Sequence, residues 1–134
     1  MKTYEQFYIN GEWVDPVDGK NMFDVLNPSN EEVSGQIAMG SAADVDNAVQ
    51  AASKAFNTFS QTTVEERLAL LGKIVEVYQS RYDEIAETIS SEMGAPLTLS
   101  KAAQAATGLG HFAQAIEILQ SFEWEETKGK TVLR

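Results

Sequence analysis

The sequence predicts a mostly α-helical chain with an N-terminal β-hairpin arm and a C-terminal pair of β-strands. Between residues 42 and 122, apolar residues recur every three or four positions, which is the period of an α-helix. Residues 7–39 instead hold short apolar runs separated by turn-forming residues, and a strand-like alternation begins near residue 122. Hydrophobic residues make up 43% of the chain and charged residues 22%, a balance typical of globular proteins.

The predicted arm contains a hairpin between Phe23 and Gly40, with its turn in the segment Asn-Pro-Ser-Asn at residues 27–30. The apolar residues of its two strands are Phe23, Val25 and Leu26 before the turn and Val33, Ile37 and Met39 after it. We expect an earlier pair of short strands to lengthen the same arm. Because a lone hairpin is only marginally stable in water, the arm needs other structure to pack against.

Capping signals mark the starts of the first two helices. Ser41 followed by Asp44 approximates a capping box, and Thr63 followed by Glu66 fits one. The apolar stripe of the first helix is Val45, Ala48, Val49, Ala52, Phe56 and Phe59, and that of the second is Val64, Leu68, Leu71, Ile74, Val75 and Tyr78. Each stripe is typical of an amphipathic helix.

A short third helix follows, and its end is clearly marked. The residues predicted to face inward are Tyr82, Ile85, Ala86 and Ile89. Gly94 suits the left-handed conformation just past a helix end, and Pro96 prevents the helix from continuing.

The fourth helix is predicted from Thr98 to Phe122. Its long apolar stripe is Ala102, Ala106, Leu109, Phe112, Ala113, Ile116, Leu119 and Phe122. Gly108 and Gly110 lie within it, and each costs about 1 kcal/mol relative to alanine. Such a pair predicts that another backbone packs closely at this point, and the uncharged surroundings indicate burial on more than one side.

The last residues change period. Phe122, Trp124 and Glu126 alternate with the residues between them, Gly129 predicts a turn, and residues 131–134 begin a second strand. Neither these strands nor those of the arm have an obvious sheet to join. Because strand edges are usually covered by pairing, we expect the chain to be part of a larger structure.

Composition excludes several classes of function. With 20 acidic residues against 10 basic ones and a net charge of -10, the chain is a poor partner for nucleic acid or for an anionic membrane surface. Cysteine is absent, which excludes disulfides, zinc–thiolate sites and a cysteine nucleophile within these residues. The N-terminus has no apolar core of signal-peptide length, and no uncharged stretch is long and apolar enough to span a bilayer. We therefore expect a cytoplasmic protein.

No catalytic centre is predicted from the residues themselves. The single histidine, His111, lies on the fourth helix among alanines, where a packed or partly exposed residue is favoured over a general base. Neighbouring carboxylates occur at Glu65 and Glu66, at Glu84 and Glu87, and at Glu123, Glu125 and Glu126. Glycosidase-type catalysis needs two carboxyls that converge on a cleft from separate elements. These glutamates instead lie on helix starts and on one strand, so we interpret them as solvent-exposed residues. The segment TGLGHF matches half of a phosphate-binding glycine motif, but no strand precedes it.

The order of the elements resembles the beginning of an NAD(P)-dependent aldehyde dehydrogenase. The resemblance rests on the INGEWV hairpin, the Asn-Pro turn after a later strand, the first helix ADVDNAVQAASKAF, and the following stretch ERLALLGKIVEVYQSRYDEIAETISSEMGAP. It runs over essentially all 134 residues. The sequence has Gly94-Ala95 where the family commonly has a Gly-Lys pair, a departure that does not affect catalytic chemistry.

The resemblance implies an α/β parent protein with a Rossmann-like cofactor domain, a catalytic domain and an oligomerisation arm. Residues 1–122 would be the N-terminal part of the cofactor-binding domain, with the strand arm at 7–39 and helices at about 42–122, and residues 123–134 would start the oligomerisation arm. The parent would oxidise a small aldehyde to an acid with NAD or NADP through a cysteine thiolate, as a dimer or tetramer. The family's catalytic residues lie downstream, so we expect this chain alone to be inactive and to bind no cofactor.

One site could carry over from the family. Many members hold a structural monovalent cation through backbone oxygens of the two residues before the Asn-Pro turn and a nearby acid. Those positions are Val25 and Leu26, with Glu92 where the family often has aspartate. The competing interpretation is that Glu92 is an ordinary helix-end glutamate, because its longer side chain alters the reach.

Two functional hypotheses follow from the sequence. The first is the aldehyde dehydrogenase segment, whose uncovered helix faces and strand edges should make the isolated chain self-associate. The second is a small acidic helical domain that binds another protein. That alternative predicts a cooperatively folding monomer whose surface lacks large apolar patches.

Overall fold

The computed structural model describes residues 2–133, with the side chains of all of these except Thr127 and Leu133. The strands are β1 (Lys2–Tyr4), β2 (Phe7–Ile9), β3 (Glu12–Val14), β4 (Asn21–Leu26), β5 (Val33–Met39), β6 (Glu126–Lys128) and β7 (Thr131–Leu133). The helices are α1 (Ala42–Phe59), α2 (Val64–Ser80), α3 (Tyr82–Met93), α4 (Leu97–Leu99) and α5 (Ala105–Ser121). A π-helical segment, Ser100–Gln104, joins α4 to α5.

The N-terminal strands form two separate sheets rather than the single arm that was predicted. The hairpin of β4 and β5 is confirmed, with Phe23 opposite Ile37. Strands β2 and β3 form their own hairpin, closed by Asn10 and Gly11, both at positive φ. This pair contacts α1 instead of extending the β4–β5 hairpin, so the prediction of one continuous arm was wrong.

Strand β1 was missed by the sequence analysis, and it completes a three-stranded sheet in the order β1-β5-β4. It pairs in parallel with β5, with Lys2 opposite Gly35. A Cβ atom at Gly35 would lie 2.8 Å from the Lys2 carbonyl oxygen, so the close approach of the two backbones requires a glycine there. Three exposed residues carry too little periodicity to predict a strand.

Both predicted capping arrangements are present at the helix starts. The Thr63 side chain accepts a hydrogen bond from the Glu66 amide at 3.1 Å, and the Glu66 carboxylate accepts one from the Thr63 amide at 2.8 Å. The Asp44 carboxylate accepts hydrogen bonds from the amide and hydroxyl of Ser41 and from the Val17 amide, at 2.8–2.9 Å. Asp44 therefore also ties the segment before β4 to the start of α1.

The helical part packs around small buried residues. Ala86 of α3, Ser100 of the π segment and Ala105 of α5 are each fully buried. Helix α5 packs against α2, and the π segment packs against α3. The predicted end of the third helix is confirmed, with Gly94 at a φ of 70°.

The sequence analysis predicted that another backbone packs closely at Gly108 and Gly110, and this prediction was wrong. A side chain at Gly108 would overlap the ring and hydroxyl of Tyr78 on α2, whereas nothing lies within 4 Å of the Cβ position at Gly110. A side chain, rather than a backbone, explains one glycine, and the structure offers no packing reason for the other.

The apolar stripe predicted for α1 lies mostly at the surface. Val45, Val49, Phe56 and Phe59 are 49–65% exposed. At the other end of the chain, β6 and β7 form the predicted hairpin, with Gly129 at a φ of 64° in its turn. The first of these strands begins at Glu126 rather than at residue 122, and residues 122–125 connect it to the end of α5 at Ser121 without regular structure.

None of the helices described within residues 2–133 combines the length and the apolar character that a membrane-spanning helix requires.

Candidate functional site

A pocket of about 440 Å³ lies between the three-stranded sheet and helix α3. The sheet contributes backbone and side chains from β1, β4 and β5. Helix α3 contributes the polar and acidic side chains of Glu84, Glu87, Thr88, Ser91 and Glu92. The pocket therefore lies between the strands of the sheet and a row of oxygen-bearing side chains on the helix.

Two of the three residues predicted to hold a cation meet at this pocket. Val25 and Glu92 both line it, whereas Leu26 does not and is 54% exposed. The register of β4 with β5 shifts between Val25 and Leu26, which locally breaks the regular pairing. The Val25 carbonyl accepts a hydrogen bond from the Ser34 hydroxyl at 3.0 Å, and a carbonyl oxygen has a second lone pair available.

The end of α3 is held against the Asn-Pro turn, which explains why Val25 and Glu92 come together. A Cβ atom at Gly94 would lie 3.0 Å from the Ser29 amide nitrogen, so the helix end and the turn are in close contact. The turn itself is held by the Asn27 side chain, which accepts hydrogen bonds from the amide and hydroxyl of Ser29 at 3.0 and 2.8 Å.

The electrostatics of the pocket are dominated by carboxylates. The Arg81 guanidinium donates hydrogen bonds of 2.7 and 2.8 Å to Glu84 and lowers the pKa of that carboxyl, with a smaller effect of the same sign from Lys2. Lys2 also lines the pocket, on β1, and the sequence analysis missed it because β1 was not predicted. Among the described residues, no group of three or more His, Cys, Asp or Glu side chains could hold a metal. A cation here would therefore depend on backbone oxygens.

The residues that the sequence analysis weighed as catalytic or phosphate-binding candidates occupy ordinary structural positions. His111 is exposed on α5, and the segment TGLGHF lies entirely within that helix, as expected. Glu65 and Glu66 are exposed in the first turn of α2, and Glu84 is paired with Arg81. Glu126 forms an ion pair with Lys128 at 3.5 Å within the last hairpin.

A second, apolar pocket of about 380 Å³ lies between α2, α3 and α5. It is lined by Ile74, Tyr78, Ile85 and Phe112 among others, together with Lys73 and Arg81. Both cationic side chains are paired with carboxylates, Lys73 with Glu76 at 2.8 Å and Arg81 with Glu84 at 2.7 Å. Among the described residues that line this pocket, none forms a pair of nucleophile and base.

Comparison with known proteins finds close relatives over nearly the whole chain. Residues 13–133 match the model of the aldehyde dehydrogenase family. An aldehyde dehydrogenase homologue of Staphylococcus haemolyticus is 46% identical over 133 residues, which are 99% of this chain and 28% of that protein. The chain thus spans little more than a quarter of the length of the curated relatives that it matches.

Solved structures of aldehyde dehydrogenases have the same fold over this segment. The Bartonella henselae enzyme is 41% identical with a TM-score of 0.92, and the match covers 97% of this chain and 27% of that one. A cysteine-to-alanine variant of aldehyde dehydrogenase C from Pseudomonas syringae, solved with NAD+ and octanal, is 38% identical with a TM-score of 0.91. There the match covers 96% of this chain and 26% of the other. The Mycobacterium tuberculosis enzyme, solved with NAD+, is 28% identical with a TM-score of 0.86, over 95% and 26% of the two chains.

Proposed function

Because this chain belongs to the aldehyde dehydrogenase family, we propose that it is the N-terminal segment of an enzyme that oxidises an aldehyde to a carboxylic acid. The observation that carries the proposal is the family match over residues 13–133. Solved relatives with NAD+, one of them also with octanal, support a nicotinamide cofactor and an aldehyde substrate for the whole protein. In that reaction a cysteine thiolate adds to the aldehyde, hydride passes to the nicotinamide, and water releases the acid.

We assign a scaffolding role to the segment itself. It has no cysteine, so the thiolate must come from outside these residues, and the segment alone should be inactive. Residues 1–122 would form the start of a Rossmann-like cofactor-binding domain, and residues 123–134 the start of an oligomerisation arm. The half-exposed side chains of Phe122 and Trp124, just before the last hairpin, support a continuation of structure there. A cytoplasmic location fits a reaction that depends on a reduced thiol.

The proposed reaction is tested by comparing the full-length protein with the 134-residue chain. Each is incubated with octanal and with NAD+ or NADP+, and formation of the reduced nicotinamide is followed by its absorbance. We expect turnover by the full-length protein and none by the chain alone. Turnover by the chain alone would overturn the assignment, as would a full-length protein that leaves a panel of short and long aldehydes untouched.

We propose a structural monovalent cation where Val25 and Glu92 line the pocket beside α3, held by the backbone oxygens of Val25 and Leu26 and by Glu92. Leu26 does not line the pocket, so its oxygen would have to reach the cation from outside that lining. The position of Val25 and Glu92 on one pocket supports this, as does the contact of Gly94 with the preceding turn. A cation would also balance negative charge in this pocket, because Glu84, Glu87 and Glu92 all line it. Lys2 in the lining and the pairing of Arg81 with Glu84 offset part of that charge.

The cation proposal is tested by thermal unfolding of the full-length protein in sodium, potassium or choline chloride at equal ionic strength. We expect sodium or potassium to raise the unfolding temperature relative to choline, and Glu92→Gln to remove that difference. Glu87→Gln is the matched control, because it removes a carboxylate from the same helix and pocket and should leave the difference intact. Equal unfolding temperatures in all three salts would contradict the proposal.

We also propose that the isolated chain self-associates. The exposed apolar face of α1 supports this, because surfaces of this kind on soluble proteins usually mark contacts with other structure. The same face argues against the alternative of a small interaction domain, which predicted a surface without large apolar patches.

A further inference from the structure

The helical run from α4 to α5 contains a π-helical turn at Ser100–Gln104. The amide of Ala105 donates to the carbonyl of Ser100, five residues earlier, where an α-helix would bond residues four apart. Such turns are rare and usually occur singly within α-helices, and many lie at functionally important positions. We therefore ask which contacts from outside its own backbone stabilise this turn.

Two tyrosine hydroxyls bond to the carbonyls of this region. Tyr82 donates to the Lys101 carbonyl at 2.5 Å, and Tyr78 donates to the Ala105 carbonyl at 2.9 Å. Both tyrosines are partly buried. Because Gly108 has no side chain, the Tyr78 ring can lie against α5 at this level. An ion pair of 2.8 Å between Lys101 and Asp83 adds a further link to α3.

The tyrosines lie on either side of a second discontinuity. Helices α2 and α3 meet at Arg81, whose φ and ψ of -109° and 15° are not α-helical. The break at Arg81 and the π-helical turn thus face each other, and Tyr78 and Tyr82 connect them.

Packing on both sides of the π-helical turn determines which helix faces must be buried before and after it. Ser100 is fully buried where the turn packs on α3, and Ala105 is fully buried at the start of α5, which packs on α2. Each residue of an α-helix is rotated by about 100° from the one before it. In a regular helix, one extra residue would turn one of these two faces away from its partner by that angle. A π-helical turn accommodates the extra residue without that rotation.

We propose that Tyr78 and Tyr82 are positioning residues whose hydroxyls hold the π-helical turn and so set the rotation of α5 relative to Ser100. They thereby decide which apolar side chains of α5 contact α2, such as Phe112, and which face outward, such as Ile118 at 52% exposure. The inference concerns this segment's own packing and holds whether or not the proposed activity is correct.

Hydrogen exchange of the full-length protein, read by mass spectrometry, tests the role of the hydroxyls. Tyr82→Phe and Tyr78→Phe should each speed exchange in peptides covering residues 100–108 by about fivefold, the effect of losing one hydrogen bond. Tyr8→Phe, which removes the hydroxyl of a tyrosine that is 62% exposed, should change nothing in these peptides. Unchanged exchange in both test variants would overturn the proposal.

Deletions test whether the turn carries an extra residue. Ala102, in the π-helical turn, and Gln114, in the regular part of α5, are both exposed. Deleting Ala102 should leave a regular helix with both faces aligned and exchange in α5 within about twofold of the parent protein. Deleting Gln114 should rotate the residues after it and speed exchange there by tenfold or more. In the protein lacking Ala102, Tyr82→Phe should no longer speed hydrogen exchange. If Tyr82→Phe still speeds exchange to the same extent there, the proposal is contradicted. It is also contradicted if the two deletions speed exchange in α5 equally.

Discussion

At the scale of single residues, Gly108 and Gly110 lie two positions apart in α5 but have different surroundings. We expect Gly110→Ala to stabilise the protein by about 0.5–1 kcal/mol, because alanine loses less backbone entropy in a helix and meets no atom within 4 Å. Gly108→Ala should destabilise it by about 1–3 kcal/mol, since the new methyl group overlaps the Tyr78 ring. Urea unfolding of the two variants checks both signs. A stabilising Gly108→Ala would show that Tyr78 does not lie against α5.

Asp44 predicts a specific dependence of stability on pH. Hydrogen bonds from the backbone amides of Ser41 and Val17 lower the pKa of its carboxyl, although burial opposes them. A lowered pKa in the folded state means that the ionised carboxyl stabilises the protein above its unfolded pKa of about 4, and that this contribution is lost as the pH falls below that value.

The pH dependence is measured through the urea midpoints of the parent protein and of Asp44→Asn between neutral and acidic pH. We expect Asp44→Asn to be less stable at neutral pH and the gap to narrow as the pH falls through the folded-state pKa. Asp46→Asn, at an exposed position in the same helix, is the control and should give a small gap at every pH. A gap for Asp44→Asn that stays constant with pH would refute the assignment.

At the scale of elements, β1 depends on the absence of a side chain at position 35. A Cβ atom there would lie 2.8 Å from the Lys2 carbonyl oxygen, closer than such atoms approach each other. We expect Gly35→Ala to detach β1 from β5 and to raise the hydrogen exchange of residues 2–4 to that of an unpaired segment. Gly40→Ala is the matched control, because its nearest neighbour lies at an ordinary 3.5 Å. Retained protection of β1 in Gly35→Ala would contradict the prediction.

The elements that the sequence predicts well are those with strong local signals. Thr63 with Glu66 and Gly94 with Pro96 mark helix ends by side-chain and backbone chemistry that acts within a few residues, and the structure has those ends. Strand β1 and the division of the arm into two sheets depend instead on pairing between distant residues, such as Lys2 with Gly35. Short strands carry too few residues for a periodic signal, so their partners cannot be read locally.

At the scale of the whole molecule, the uncovered face of α1 predicts that the isolated chain associates. Val49 and Phe56 are 61% and 65% exposed on this face. We expect size-exclusion chromatography with light scattering to show dimers or larger species at micromolar protein, and the double variant Val49→Lys, Phe56→Lys to shift the chain towards monomer.

The control for this variant has the same charge change on exposed polar positions of the same helix, Gln50→Lys with Asn57→Lys. It should associate like the parent chain, because the apolar face stays intact. A clean monomer for the parent chain would defeat the prediction. Equal dissociation in both double variants would show that lysines introduced on α1, rather than the loss of its apolar face, shift the chain towards monomer.

The sequence by itself determined the order of the helices, their caps and the family resemblance, because these depend on patterns among neighbouring residues and on the order of motifs. The candidate cation site could be predicted only in part from the sequence. Val25 and Glu92 were named from the resemblance, but their meeting at one pocket depends on the contact of Gly94 with the Asn-Pro turn.

Only the tertiary structure decided which faces are covered. The stripe of α1 and the stripe of α2 have the same apolar period, yet Phe56 is largely exposed while Tyr78 bonds to α5. It also revealed the π-helical turn, which no local pattern marks. The physical reason is that periodicity shows which residues share a helix face, whereas burial and the rotation of one helix against another depend on contacts between segments far apart in the chain.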